Sequence, residues 1–299
     1  MDVLNAINLS KSFGTEKVID GLTFSVPEGS IFGFIGKNGA GKTTTMKMAL
    51  GLIPADGGEI AVCGERVAFG RTDANRHIGY LPDVPEFYGY MRPKEYLKLC
   101  GEITGMDSTR IKARSDELLC LVGLSDANKK IGGFSRGMKQ RLGIVQALLN
   151  EPKLLICDEP TSALDPVGRK EILGILRQVK DRTTVIFSTH ILSDVERICD
   201  RIAVLDKGKI ALSGTLAELR AQYRADEFVV EFATMEENNQ FSALIKPTEQ
   251  TETSATFRTR DMRGTQARVL AILSQNDLLP LRLEVIEPTI ENLFMEVIL

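Results

Sequence analysis

The chain has little of what metal or disulfide chemistry needs. Its 299 residues hold two histidines and five cysteines, Cys63, Cys100, Cys120, Cys157 and Cys199, none of them in a Cys-x-x-Cys pair. That scatter speaks against a zinc site and against a disulfide framework. Cys157 lies in an apolar run and reads as a small buried residue. No uncharged apolar stretch approaches the roughly 18 residues of a membrane helix. No N-terminal secretion pattern stands out, so a cytosolic chain is expected. Charge of one sign is also lacking: the net charge is −3, which lends no support to general nucleic-acid binding. There are no repeats or low-complexity segments. What remains is an ordinary globular composition, 43% hydrophobic and 26% charged, long enough for one large domain or two.

Against that background one segment is specific. Residues 36–43 read Gly-Lys-Asn-Gly-Ala-Gly-Lys-Thr, a complete phosphate-binding loop. The apolar run Ile31–Ile35 before it reads as a buried strand, and Lys42–Leu50 after it as a helix. Such a loop turns backbone N–H groups of Gly36, Lys37, Asn38, Gly39, Ala40, Gly41 and Thr44 toward phosphates, at a helix N-terminus that favours anions. Lys42 is expected to reach the β- and γ-phosphates, and the Thr43 hydroxyl to ligate Mg²⁺. The ligand class is therefore a nucleoside triphosphate with Mg²⁺.

Further segments narrow the chemistry. Leu154–Cys157 is a short apolar strand ending in Asp158-Glu159. A carboxylate at that end of an open parallel sheet faces the ligand edge. Asp158 is expected to hold Mg²⁺ and Glu159 to orient or deprotonate the attacking water. Phe134-Ser-Arg-Gly-Met138 opens a helix striped by Met138, Leu142, Val145 and Leu149. Ser135 is placed as its N-cap, and that helix start is a second anion site. Thr189-His190 follows the apolar run Val185–Ser188, where an imidazole can contact a γ-phosphate.

These residues, in this order and spacing, resemble the nucleotide-binding subunits of ABC transporters over roughly residues 2–215. The resemblance implies an α/β fold: a P-loop NTPase core with an antiparallel β subdomain and a helical subdomain at about 84–150, over residues 1–218. Residues 219–299 are then an accessory α+β domain. It further implies that Phe13 stacks on adenine, unless it is simply a buried strand-end residue. Ser162-Ala-Leu-Asp165 matches the loop that joins two active sites. Ser135 and Gly137 are implied to bind the γ-phosphate of another subunit, so that ATP holds a head-to-tail dimer. That partner is a second copy or a related ATPase subunit.

Two positions depart from the family pattern. Asp83 stands where Gln is usual after Gly79-Tyr-Leu-Pro82, and it remains a candidate for contact with Mg²⁺ or water. Arg136 stands inside the signature segment, either adding charge near the phosphates or facing solvent. The Ser-x-Gly-Met-Lys-Gln-Arg variant, the small C-terminal domain and Glu287–Phe294 are similar to the bacterial ABC-2 type, associated with exporters. The resemblance then implies ATP hydrolysis driving export through a separate membrane permease, with the chain peripheral on the inner face of the membrane. Phe87, Tyr88 and Tyr90 either anchor a permease helix or pack inside the helical subdomain.

Two alternatives stand beside this one: a nucleic-acid-linked ATPase of the same superfamily, or a silent nucleotide-binding module. Only about 90 residues separate Thr43 from Phe134, without sustained heptads, which disfavours the coiled-coil repair enzymes. Residues 221–299 hold seven basic and thirteen acidic residues, so they carry −6 of the chain's −3 and the rest carries +3. An acidic C-terminal region does not suit nucleic acid. Within it, alternation at 227–232, 255–257 and 281–285 and helical periods at 263–274 and 289–298 predict the order β-β-α-β-α.

Overall fold

The computed structural model describes residues 1–70, 72–222, 227–286, 291 and 294. It divides into two units, Met1–Leu216 and the residues from Ala217 onward. The first begins with two long strands, β1 (Asp2–Phe13) and β2 (Glu16–Pro27), joined by a tight turn. The next elements are β3 (Ile31–Ile35), α1 (Lys42–Ala49), β4 (Gly57–Val62), β5 (Glu65–Arg66) and β6 (Ile78–Leu81). Strands β2-β1-β4-β5 form an antiparallel sheet. Its inward positions alternate as period-2 patterning requires: Leu22, Phe24 and Val26 are buried, while Thr23 and Ser25 are exposed.

The helical region follows, with α2 (Pro93–Ile103), α3 (Ser108–Leu121) and α4 (Arg136–Leu148). Leu97, Ile111, Leu118 and Leu142 are buried along its helical stripes. Then come β7 (Leu154–Asp158), α5 (Pro166–Val179), β8 (Thr184–Thr189), α6 (Leu192–Ile198), β9 (Arg201–Asp206), β10 (Lys209–Thr215) and α7 (Leu216–Gln222).

The second sheet has the order β10-β9-β3-β8-β7-β6, parallel from β9 to β6. Every residue of β3, β7 and β8 is buried, which is why their centres are apolar runs rather than alternations. The shared core joins both sheets: Leu9, Ile19 and Phe24 pack in one cluster with Phe32, Phe34, Met46 and Ile156. In the parallel register, Ile35 lies opposite Thr189, and Asp158 opposite Ser188. The C-terminal ends of three central strands thus meet at one edge, where α1 begins.

The second unit contains β11 (Glu227–Glu231), α8 (Met235–Leu244), β12 (Glu249–Gln250), β13 (Ser254–Arg258), α9 (Met262–Gln275) and β14 (Arg282–Ile286). Its sheet order is β12-β13-β11-β14, with Phe228, Phe232, Phe241 and Phe257 in the core. The expected β-β-α-β-α order omits α8. That helix buries only Asn238 and Phe241, so it has almost no apolar stripe. Its signal is instead the capping box of Thr234 with Glu237. The helix expected at 289–298 falls, apart from positions 291 and 294, outside the described residues.

Candidate functional site

The site grows from the end of β3. Gly36 and Gly41 sit where a side chain would collide with neighbours: a Cβ on Gly36 would lie 2.6 Å from the Leu205 carbonyl, and one on Gly41 would strike Ile19. Gly41 also adopts a φ of +106°, as the N-cap of α1. These constraints set the loop: Lys37, Asn38 and Gly39 are exposed, Gly36, Ala40 and Gly41 buried, and Thr44 half-buried.

Lys42 heads α1 and is only 5% exposed. Its Nζ donates to the carbonyls of Gly36 at 2.7 Å and Lys37 at 3.3 Å, and lies 3.4 Å from Glu159 Oε1. The Thr43 hydroxyl donates to Asp158 Oδ1 at 3.1 Å. Glu159 Oε2 in turn lies 3.0 Å from His190 Nδ1. Lys42, Thr43, Asp158, Glu159 and His190, scattered over about 150 positions, therefore form one connected cluster at the sheet edge. Here a buried ammonium, two carboxylates, a hydroxyl and an exposed imidazole surround a loop built for phosphates.

Sequence reasoning missed one member. Ser188 is fully buried at the end of β8. Its Oγ donates to Asp158 Oδ1 at 2.6 Å and accepts from the Glu159 backbone N–H at 2.9 Å. Ser188 thus fixes both carboxylate residues at once. Glu159 needs such an anchor, because its φ is +47°, a strained value for a residue with a side chain. The available signal was the polar end of an otherwise apolar strand. Tyr80, on the neighbouring β6, has its hydroxyl pushed up to about 12, first by burial and then by the charge of Asp158. It stays protonated at neutral pH.

Phe13 is 51% exposed, with Lys11 Nζ 5.4 Å above its ring, so the alternative of a buried strand-end residue falls away. Asp83, expected beside Thr43 and Asp158, has other partners. It accepts from Ser162 Oγ at 2.6 Å and lies 3.8 Å from the Arg136 guanidinium, a donor and a countercharge within reach of its short side chain. Arg136 accordingly faces Asp83 and Ser162 rather than open solvent alone. Ser135 caps α4, accepting from the Met138 N–H at 3.2 Å. Ser135 is exposed, and Gly137 is half-buried, with Leu164 Cδ2 4.0 Å from where its Cβ would lie. Among the described residues, no hydrogen bond or ion pair joins either to the phosphate loop. Phe87 packs edge-on against Tyr96 at 5.2 Å, whereas Tyr88 and Tyr90 are 54% and 70% exposed. Beside them is a groove of about 450 Å³ lined by Val84, Pro85, Phe87, Ile131 and Gln140.

No helix among the described residues is long and apolar enough to cross a membrane. Residues 19–162 match the ABC transporter family, and residues 214–298 the C-terminal domain of DrrA1-3-like ATP-binding proteins. The bacitracin transport ATP-binding protein BcrA of Bacillus licheniformis is 34% identical, across 99% of this chain and 97% of that protein. The Nod factor export ATP-binding protein I of Burkholderia lata is 37% identical across 81% of each chain. The linearmycin resistance ATP-binding protein LnrL of Bacillus subtilis is 38% identical across 76% of this chain and 74% of its own. A solved ATP-binding subunit of an ABC transporter superposes with a TM-score of 0.67 at 34% identity, covering 74% of this chain and 93% of that one. With a relative aligned end to end and the phosphate loop, strand-end carboxylates and histidine gathered at one sheet edge, the chain belongs to the ATP-binding proteins of the ABC transporters.

Proposed function

We propose that the chain binds and hydrolyses ATP to drive export through a separate membrane permease. The observation that carries this is the cluster that Glu159 and His190 form with Lys42 of the phosphate loop, with contacts of 3.4 and 3.0 Å. In this reading the loop N–H groups and the start of α1 hold the phosphates. Lys42 neutralises charge developing on the transferred phosphoryl group. Glu159 positions the attacking water and takes its proton, and His190 contacts the γ-phosphate. Phe13 stacks on the adenine.

The residues also fit Mg²⁺. The Thr43 hydroxyl and the Asp158 carboxylate are hard oxygen donors 3.1 Å apart, the type that Mg²⁺ selects. When bound, the ion would offset negative charge on the phosphate oxygens. Asp158 is held ready for it by the Ser188 hydroxyl.

Ser135 is exposed and Gly137 half-buried at the start of α4, a helix N-terminus that favours anions. This supports a head-to-tail dimer, with a second copy or a related subunit, in which they contact the partner's ATP. The groove beside Tyr88 and Tyr90 suits a helix of the permease, which would hold the chain at the inner face of the membrane. A relative named for bacitracin transport supports the transport role, and one named for Nod factor export supports the direction. Their length-matched alignment favours transport over a nucleic-acid-linked role or a silent module.

ATP turnover of wild type beside Glu159→Gln tests the reading. Hydrolysis by wild type, lost in the variant with ATP binding retained, is the expected result. Equal turnover in both would remove Glu159 from the mechanism.

A further inference from the structure

The loop from β7 to α5, residues 159–165, carries two non-glycine residues in the left-handed region, Glu159 at φ +47° and Ala163 at +50°. A loop in this conformation persists only where its surroundings over-determine it. Its centre supplies the restraint. Thr161 is fully buried, and its hydroxyl donates to Asp194 Oδ2 at 2.7 Å. Asp194 is itself 4% exposed, on the first turn of α6 and four positions after His190. Its other oxygen accepts from Arg169 of α5 at 2.7 Å, and Arg169 also reaches Ser193 Oγ at 3.4 Å. A buried carboxylate needs such pairing, and here each oxygen is assigned to a different element.

Besides the bond from the Glu159 N–H to Ser188 at 2.9 Å, the loop meets the residues from His190 onward at two side-chain points. One is the contact of Glu159 with His190 at 3.0 Å, and the other is Thr161 with Asp194 at 2.7 Å. A single attachment leaves two segments free to pivot. Two attachments fix their mutual orientation. We infer that Asp194 is a positioning residue: through Thr161 it locks the 159–165 loop to the His190 segment, so that Glu159 and His190 keep their contact. It touches no reacting atom and acts through the loop. The kinetic consequence rests on the proposed hydrolysis by Glu159, whereas the geometric one does not.

The test substitutes Thr161 in the full chain. Thr161→Val keeps the volume and the Asp194–Arg169 pair but removes the hydroxyl, and Thr161→Ser restores it. With only two histidines in the chain, His77→Gln assigns the His190 ring resonances by difference. Glu159→Gln then gives the direction in which they move when the contact changes. The expected result is that Thr161→Val shifts the His190 ring the same way. It also lowers kcat about tenfold with KM changed less than about threefold, and Thr161→Ser returns both to near wild type. If Thr161→Val is too unstable to study, Thr161→Cys, a weak donor, is read by the same criteria. Wild-type His190 resonances and kcat in a variant whose melting temperature has fallen would overturn the inference. If wild type hydrolyses no ATP, the functional proposal fails and the histidine spectrum alone decides this one.

Discussion

Ser188→Ala is the sharpest test of how the site is held. The side chain is fully buried, and its hydroxyl serves two neighbours, donating to Asp158 at 2.6 Å and accepting from the Glu159 N–H at 2.9 Å. Alanine removes a bond to a charged acceptor and leaves a backbone donor without its partner. Each loss is of order 1–3 kcal/mol, and with partial relaxation the sum is about 2–4 kcal/mol. At roughly 3 °C per kcal/mol for a unit of this size, the melting temperature should fall about 6–12 °C. The Glu159 backbone, held at a strained φ, also loses its anchor, so ATP turnover should fall more than about tenfold. Calorimetric melting and steady-state ATPase assays read the two effects. Ser25→Ala, on an exposed strand position, is the control and should move stability by less than about 0.5 kcal/mol. A Ser188→Ala protein that melts within about 2 °C of wild type and turns over ATP at the wild-type rate would refute the reasoning.

Three further outcomes are expected. Phe13→Ala should weaken ATP binding about 5–150-fold by fluorescence titration, the loss of one base stack, and leave melting unchanged because the ring is half exposed. Arg136→Ala should shift melting by no more than about 3 °C, since a half-exposed pair at 3.8 Å contributes about 0–1 kcal/mol. In thiol labelling at pH 8, Cys120 should react first, being exposed. Cys157 and Cys199 should resist until the chain unfolds, because burial pushes both thiols well above the usual range.

The sequence made some levels of this structure legible and hid others. The phosphate loop was readable because its glycines and its Lys-Thr pair are dictated by local backbone geometry and by ligand chemistry. The central strands were readable because burial on both faces leaves apolar runs at 31–35, 154–157 and 185–187. The partners of individual polar groups were not. Ser188 sits at a strand end where a serine is unremarkable, and only the parallel register that sets it opposite Asp158 gives it a role. Asp83 was assigned by its place after Gly79–Pro82, yet Ser162, 79 positions away, and Arg136 are what its carboxylate meets. Such pairings depend on tertiary contacts that no local pattern encodes. Helix α8 shows a third limit, since a mostly polar helix offers no stripe and only its cap marks it.

The central claim is that Glu159 performs hydrolysis at a site completed by a second subunit. The most direct measurement is the solution mass of Glu159→Gln by light scattering, with and without Mg²⁺ and ATP. The account predicts a shift from 32.9 kDa to twice that mass on adding ATP, with no phosphate released. A Glu159→Gln protein that binds ATP, stays at the monomer mass and still releases phosphate at the wild-type rate would contradict it.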